Sequence, residues 1–487
     1  MKRILNSEEL TSHGNIEGRK AVLDILEAGL QAADPYNNTF AAMRLEDNQL
    51  IIGGADFITE GDPQTEDEVI NLNEVNRIFV FGAGKGIQRI AKAIEDVLGD
   101  YLTGGHVIAK HGDDLILDKI SVTFGAHPVP DEGCVIGCEK ILEMASDLRE
   151  DDLVLTVIGN GVSSLLTLPV DGVSLEDVRQ TTYLMQLERG APTGDLNPIR
   201  NHLDQMKGGQ LALHIQPARA IHIIATGLYS YDELMHANPF VHSLPDYTLF
   251  ADAIRLLKKW DAWDAVPASV RHHLSEANPT QETPKAVDFE QMRFRIFEVM
   301  PDSLSMVKVA RRKAIELGFT PYVIYDNFNM QAEASQVAKV VSGMAYHSEL
   351  ANEPFKTPCV LIGHGELLVT IGNEQGMGGR NQEYALSAAL LIADTKRIVM
   401  GSVDSDGTDG PGHQFVEGYD HIPVLTGAII DGTTASRAIE QGLDLYDAIK
   451  RHHTSPPLYE LGDGIVATPN MSMGDLSITL IQSNQQS

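Results

Sequence analysis

The chain has 487 residues, enough for two or three domains that each bury a core of their own. Its 68 acidic against 37 basic residues give a net charge of −31, which argues against nucleic acid or an anionic membrane surface as partner. The three cysteines, Cys134, Cys138 and Cys359, supply neither a disulfide framework nor a four-ligand zinc pattern.

The N-terminus MKRILNSEEL lacks an apolar signal core, and no segment reaches the roughly 18 uninterrupted apolar residues of a membrane helix. A cytoplasmic protein in a reducing compartment is expected. Its excess of acid suits solubility, so an anionic substrate would need a local basic cluster.

The first buried-strand run is RIFVF (77–81), which leads into GAGKG and then the helical IQRIAKAIEDVL. Gly82, Gly84 and Gly86 open a helix there, so backbone N–H groups and the positive helix end face a phosphate, with Lys85 adding a mobile charge. A tight strand-to-helix turn is the alternative. The loop is not a Walker A sequence, and Ile87 stands where a dinucleotide fingerprint needs its third glycine. A second strand, DLVLTVI (152–158), runs into GNGVSS, which holds Asn160 and Ser163.

NPIRNHLDQMKGGQLALHI (197–215) follows, a basic segment in an acidic chain. Asn197, Arg200, His202 and Lys207 make it either a substrate clamp or an exposed amphipathic helix ended by glycine. AIHIIA (220–225) is a third strand. HHLSEANPTQETPK (272–285) reads as a polar surface loop. FRIFEVM, a helix over 307–317, TPYVIY and a helix near 331–344 continue the alternation of an α/β protein with a largely parallel sheet.

The texture changes near residue 350, where a boundary is placed between an N-terminal α/β domain (1–350) and a smaller α/β domain (351–487). There CVLIG and ELLVTIG read as antiparallel strands. GMGGRNQEYAL (376–386) combines Gly378 and Gly379, which let the backbone approach a ligand, with the planar fork of Arg380 and with Asn381 as a helix cap. After the strand RIVMGSV comes VDSDGTDGPG, whose Asp404, Asp406 and Asp409 suit a divalent ion; a calcium-stabilised turn is the rival. An EF-hand is excluded, because Thr408, Asp409 and Phe415 stand at its fifth, sixth and twelfth positions.

Taken in order, GAGKG, NPIRNHLDQMKGG, GHGE, GMGGRNQE and DSDGTDGP make residues 20–481 resemble the glycerate 2-kinase family. The resemblance implies a large Rossmann-like N-terminal domain, a smaller MOFRL-type C-terminal domain, and a site in the cleft between them. It implies ATP and Mg2+, with Lys85 and Arg380 opposed at the transferring phosphoryl group. Gly82, Gly84, Gly86, Asn160, Ser163, Asn197, Arg200 and Lys207 would hold substrate or nucleotide. Glu366, Gly378, Gly379, Asn381 and Glu383 would join them, with Asp404, Asp406 and Asp409 at the metal.

The implied activity is ATP-dependent phosphorylation of a hydroxyl, the 2-hydroxyl first, of D-glycerate or a related sugar acid. A non-catalytic binding homologue and an NAD-dependent oxidoreductase are the alternatives, and a homodimer is left open. Two departures stand out. The family's SGGGSALL reads GNGVSSLL here, with Asn160 and Val162 for glycines. Thr226 replaces the aspartate of an SDV motif, and Tyr229, Tyr231, His236, Asn238 and His242 crowd the segment after it. These side chains either line the acid site and favour a longer acid, or form a surface loop.

Overall fold

The computed structural model describes residues 2–226, 229–238, 240–327, 330, 332–414 and 416–483. Its contacts divide the chain into two compact units, Pro35–Asp302 and Met1–Asp34 with Ser303–Ser487.

The unit Pro35–Asp302 begins with a small antiparallel sheet of β1 (Met43–Glu46), β2 (Gln49–Ile52) and β3 (Glu68–Asn71). Its main sheet is built from β4 (Ile78–Ala83), β5 (Gly104–Lys110), β6 (Ser121–Gly125), β7 (Leu153–Ile158), β8 (Arg219–Ile224) and β9 (Phe294–Glu298). The strands lie in the order β6-β5-β4-β7-β8-β9, and every neighbouring pair is parallel. This is the doubly wound order of dinucleotide-binding folds, in which the connections reverse direction between the first and fourth strands. β4 and β7 are buried along their whole length, which is why both read as unbroken apolar runs. Phe79, Phe81, Val154, Ile158 and Ile224 pack with Cys134, Cys138 and Ile141 of the helix Glu132–Ala145. A separate helical group, with its own core around Leu196, Ile199, Phe250 and Leu257, carries the basic segment.

The second unit holds a mixed sheet of β10 (Thr320–Asp326), β11 (Cys359–His364), β12 (Ile398–Asp404), β13 (Gly427–Asp431), β14 (Gly464–Ile465) and β15 (Asp475–Ile481). Their order is β10-β11-β15-β12-β13-β14, with only β10 and β11 parallel among these described strands. Side chains alternate as the pleat requires. Val360, Ile362, Val399 and Leu480 face the helices Ile16–Ala32 and Met306–Glu316, whereas Cys359, Leu361, Ile398 and Met400 face Ala334–Ala351 and Arg380–Leu391.

The contact division therefore falls at 302/303, and not near residue 350, because the helix Met306–Glu316 and β10 pack into the second sheet. The first 34 residues join the same unit. ELLVTIG is not a strand but an extended loop with one bridge, Glu333 to Leu368. The polar run at 272–285 starts inside the helix Ala268–Glu276, and Glu282 is tied down by His202 Nε2 at 2.8 Å. Gln331 and Phe415 lie outside the described residues.

What fastens the N-terminal helix to the second sheet is Arg19, which is fully buried and donates to Asp431 at 2.6 Å and to Asp463 at 2.9 Å. Burial disfavours the Asp431 carboxylate, but the Arg19 charge and hydrogen bonds from Arg19, Thr433 and Asn15 hold its pKa at about 2. Arg19→Met leaves the buried Asp431 carboxylate without its counter-charge, Asp463 keeping Arg437, and should cost about 3–5 kcal/mol in urea unfolding near neutral pH. The Asp431 contribution is present above its unfolded pKa of roughly 3.9 and is lost as pH falls toward 2, so the variant and parent should converge in acid. Equal stability at neutral pH would refute this.

Candidate active site

The turn after β4 and the turn after β7 lie side by side. The Lys85 amide donates to the Asn160 carbonyl at 2.7 Å, and a Cβ on Gly84, whose φ is +154°, would come within 2.7 Å of the Gly159 backbone. That close approach is what the glycine is for. Beside these turns is a cavity of about 220 Å³ lined by His127, Asn160, Ser163, Gln186, Thr193 and Arg200, among others.

Arg200 comes from the helix Thr193–Asn201, and its partner Gln186 from a π-helical turn, Tyr183–Glu188. Such turns recur at functional sites. Only 7% of Arg200 is exposed, and its guanidinium donates to Gln186 Oε1 at 3.1 Å and to Asn197 Oδ1 at 3.5 Å. No carboxylate pairs with it among the described residues, so burial lowers its pKa to about 10. His127 is held near 4 by burial and by the charges of Lys85, Lys110 and Arg200. A neutral imidazole thus reports a local basic cluster inside a protein of net charge −31.

Lys207 does not share this cavity. It is buried in an ion pair with Asp204 at 2.5 Å and a hydrogen bond to Thr167 at 2.8 Å. Thr226 donates its hydroxyl to Glu298 at 2.8 Å. Of the crowded segment 229–242, His236 is exposed, Asn238 binds the carbonyls of Val241, Leu244 and Pro245, and Tyr229 packs edge-on against Phe240. Among the described residues of the segment, only His242 reaches a cavity residue through a hydrogen bond, Ser163 at 2.9 Å.

In the second unit, Gly378, Gly379, Arg380 and Glu383 line a pocket of about 580 Å³ with Leu368 and Ile371 on its apolar side. Arg380 begins the helix Arg380–Leu391 and is gripped by Asp475 at 2.5 Å, Asp404 at 2.7 Å and Glu366 at 3.4 Å. Burial opposes its charge, yet these carboxylates hold its pKa above the ordinary value. Burial, then the charges of Asp475 and Asp406, push Asp404 up to about 9. Glu383 is bonded to His452 Nδ1 at 2.7 Å, and burial raises its pKa.

The helix is not capped by Asn381. Asp409 accepts from the amides of Asn381 and Gln382 at 3.1 and 2.9 Å, and Asn381 is itself buried against Ser402. Asp406 accepts from Thr408 within its own turn. The three loop aspartates therefore face different ways, and among the described residues no group of three His, Cys, Asp or Glu is placed to hold a metal ion by itself. Asp475, His452, Gln186 and His127 were not visible as site residues, since no motif surrounds them and each arrives from a separate element.

Residues 21–275 match the family described as a domain of unknown function (DUF4147), and residues 359–472 match the MOFRL family. The chain is 31% identical to a glycerate 2-kinase of Pyrococcus horikoshii over 95% of its own length and 99% of the relative's. The chain belongs to the glycerate 2-kinase family. That makes it a phosphotransferase with an alcohol group as acceptor. A D-glycerate 2-kinase of Thermotoga maritima is 30% identical over 85% of this chain and 93% of that protein, and a putative hydroxypyruvate reductase of Agrobacterium vitis is 29% identical over 83% and 87%. Crystal structures of a Pyrococcus horikoshii protein and of the Thermotoga maritima glycerate kinase superpose with TM-scores of 0.74 and 0.71. They are 30% and 28% identical, cover 96% and 95% of this chain, and are each covered to 99%.

Within this glycerate 2-kinase family chain, Asp409 acts on the helix that carries Arg380. Asp409→Ala should destabilise the protein by about 1–2 kcal/mol in urea unfolding, as loss of a cap does, with Asp409→Asn costing less. Parent-like stability for Asp409→Ala, with only metal dependence altered, would mean that it does not cap the helix.

Proposed function

We propose that the protein transfers the γ-phosphoryl group of ATP, with Mg2+, to a hydroxyl of glycerate or a related small hydroxy acid, the 2-hydroxyl first. The observation that carries this reading is Arg200. A buried guanidinium without a carboxylate has lost its hydration and gained no counter-charge, so the cavity favours an anion, and its planar fork matches a carboxylate. The volume, about 220 Å³, is below the roughly 300–1,000 Å³ of drug-sized pockets and suits a short acid.

The 580 Å³ pocket suits the nucleotide, with Leu368 and Ile371 against the base and the Gly378–Gly379 backbone and Arg380 toward phosphates. Arg380 has three carboxylates around one positive charge, and that surplus of hard oxygen donors fits Mg2+. Asp404 and Asp475 are its best-placed ligands. Mg2+ is commonly held by one or two carboxylates plus substrate phosphates, so a three-acid protein cage is not required. When bound, the ion neutralises phosphate charge. Lys85 and Arg380 stabilise charge on the transferring group, Arg200 orients the acid, and positioning with charge stabilisation is most of what phosphoryl transfer needs.

A screen of hydroxy acids with ATP and Mg2+, measuring ADP and phosphorylated product together, tests the reaction; phosphorus-coupled carbon spectra of the product locate the phosphate. Lys85→Ala and Arg380→Ala should each lower turnover by about two to three orders of magnitude. Nucleotide binding without turnover on any acid would favour a non-catalytic homologue, and near-parent turnover of both variants would remove their assigned roles.

A further inference from the structure

Ser163 is one of two adjacent serines on the cavity wall, and its neighbour is already engaged: Ser164 Oγ donates to the Ala126 carbonyl at 3.1 Å. Ser163 Oγ instead lies 2.9 Å from Nε2 of His242, and both residues are buried. Which of the two donates is decided at the other ring nitrogen. The Gly208 amide donates to His242 Nδ1 at 3.3 Å, so Nδ1 is an acceptor and carries no proton. In the neutral ring the proton then sits on Nε2 and points at Ser163. Burial, with the charges of Lys207 and Arg200, keeps the ring neutral.

His242 is held from two sides by the glycine pair of the KGG run. Gly208 binds the ring, and the Gly209 amide donates to the His242 carbonyl at 3.0 Å. Gly208 has φ +59° and Gly209 φ +90°, so both amides depend on backbone that glycine adopts readily. Among the described residues no carboxylate stands behind the ring, and it already spends its Nε2 proton on Ser163, so it is not the base of a nucleophilic serine. The consequence for Ser163 is the reverse. Its oxygen accepts from His242, and its own proton is left to donate elsewhere.

We propose that His242, fixed by the Gly208–Gly209 turn, is a positioning residue that sets Ser163 as a hydrogen-bond donor to an oxygen of the acid held by Arg200. The inference rests on the reading of the Arg200 cavity as the acid site. It gives this cavity a second, directional contact to the acid besides the guanidinium, and a site built around such a donor rejects ligands lacking the acceptor. It also assigns a role to one residue of the segment 229–242.

The test uses the full chain and D-glycerate, with dissociation constants from calorimetry and KM and kcat from steady-state assays. Ser163→Ala should weaken D-glycerate binding about 10- to 100-fold, the range for a lost hydrogen bond to a charged group, and raise KM more than it lowers kcat. Ser163→Thr, which keeps the hydroxyl, should recover part of the loss. His242→Gln places an amide N–H where Nε2 was and should stay within about threefold of the parent, whereas His242→Leu should match Ser163→Ala. Nitrogen-15 spectra of the parent should assign the Nε2–H tautomer to His242. Arg200→Leu separates the two levels: it should weaken binding about 30-fold or more. If it does and Ser163→Ala binds like the parent, the donor assignment is overturned while the acid site stands. If neither variant changes binding, the acid-site reading fails. An Nδ1–H tautomer, or a Ser163→Ala protein that melts lower but binds unchanged, also overturns the proposal.

Discussion

The parallel pairing of β4 with β7 is the constraint on which the rest of the Pro35–Asp302 unit depends. In a doubly wound sheet the chain runs outward in both directions from this pair, so the two turns that follow have no covering connection between them. One turn brings Lys85 and the other Asn160 and Ser163, and the Lys85 amide bond to the Asn160 carbonyl locks them together. Glycine at position 84 is the condition for that approach. The helical group of Leu196 and Phe250 then closes the remaining side and lowers Arg200 into the space.

Two arginines in this chain sit in opposite electrostatic situations, and each points to a different ligand. Arg200 is buried among neutral partners, Gln186 and Asn197, so its desolvation is left uncompensated until an anion arrives. Arg380 has more carboxylates around it than it can neutralise, and burial together with the charges of Asp475 and Asp406 pushes the Asp404 carboxyl well above its ordinary range. On the proposed reading, a lone anion is served by the first arrangement and a cation bound with polyphosphate by the second. The basic cluster of Lys85, Lys110 and Arg200 thus stands as a local exception within a chain of net charge −31.

The glycine loops, the strand-helix alternation and the family were readable from the sequence because each is a local matter: a left-handed or crowded backbone position demands glycine, and a strand buried on both faces must be apolar. RIFVF and DLVLTVI announced themselves this way, and the glycine loops and the basic run 197–215 drew attention to Lys85, Arg380 and Arg200 as candidates. The tertiary structure alone decided what those side chains meet. Asp409 turned out to cap the helix of Arg380, Lys207 to pair with Asp204, and Arg19 to join the helix Ile16–Ala32 to the second sheet. Each of these bonds spans elements whose separation in sequence carries no periodic signal. The same holds for Ser163 and His242, 79 residues apart: composition shows a serine and a histidine, and only the fold shows which of them donates the proton.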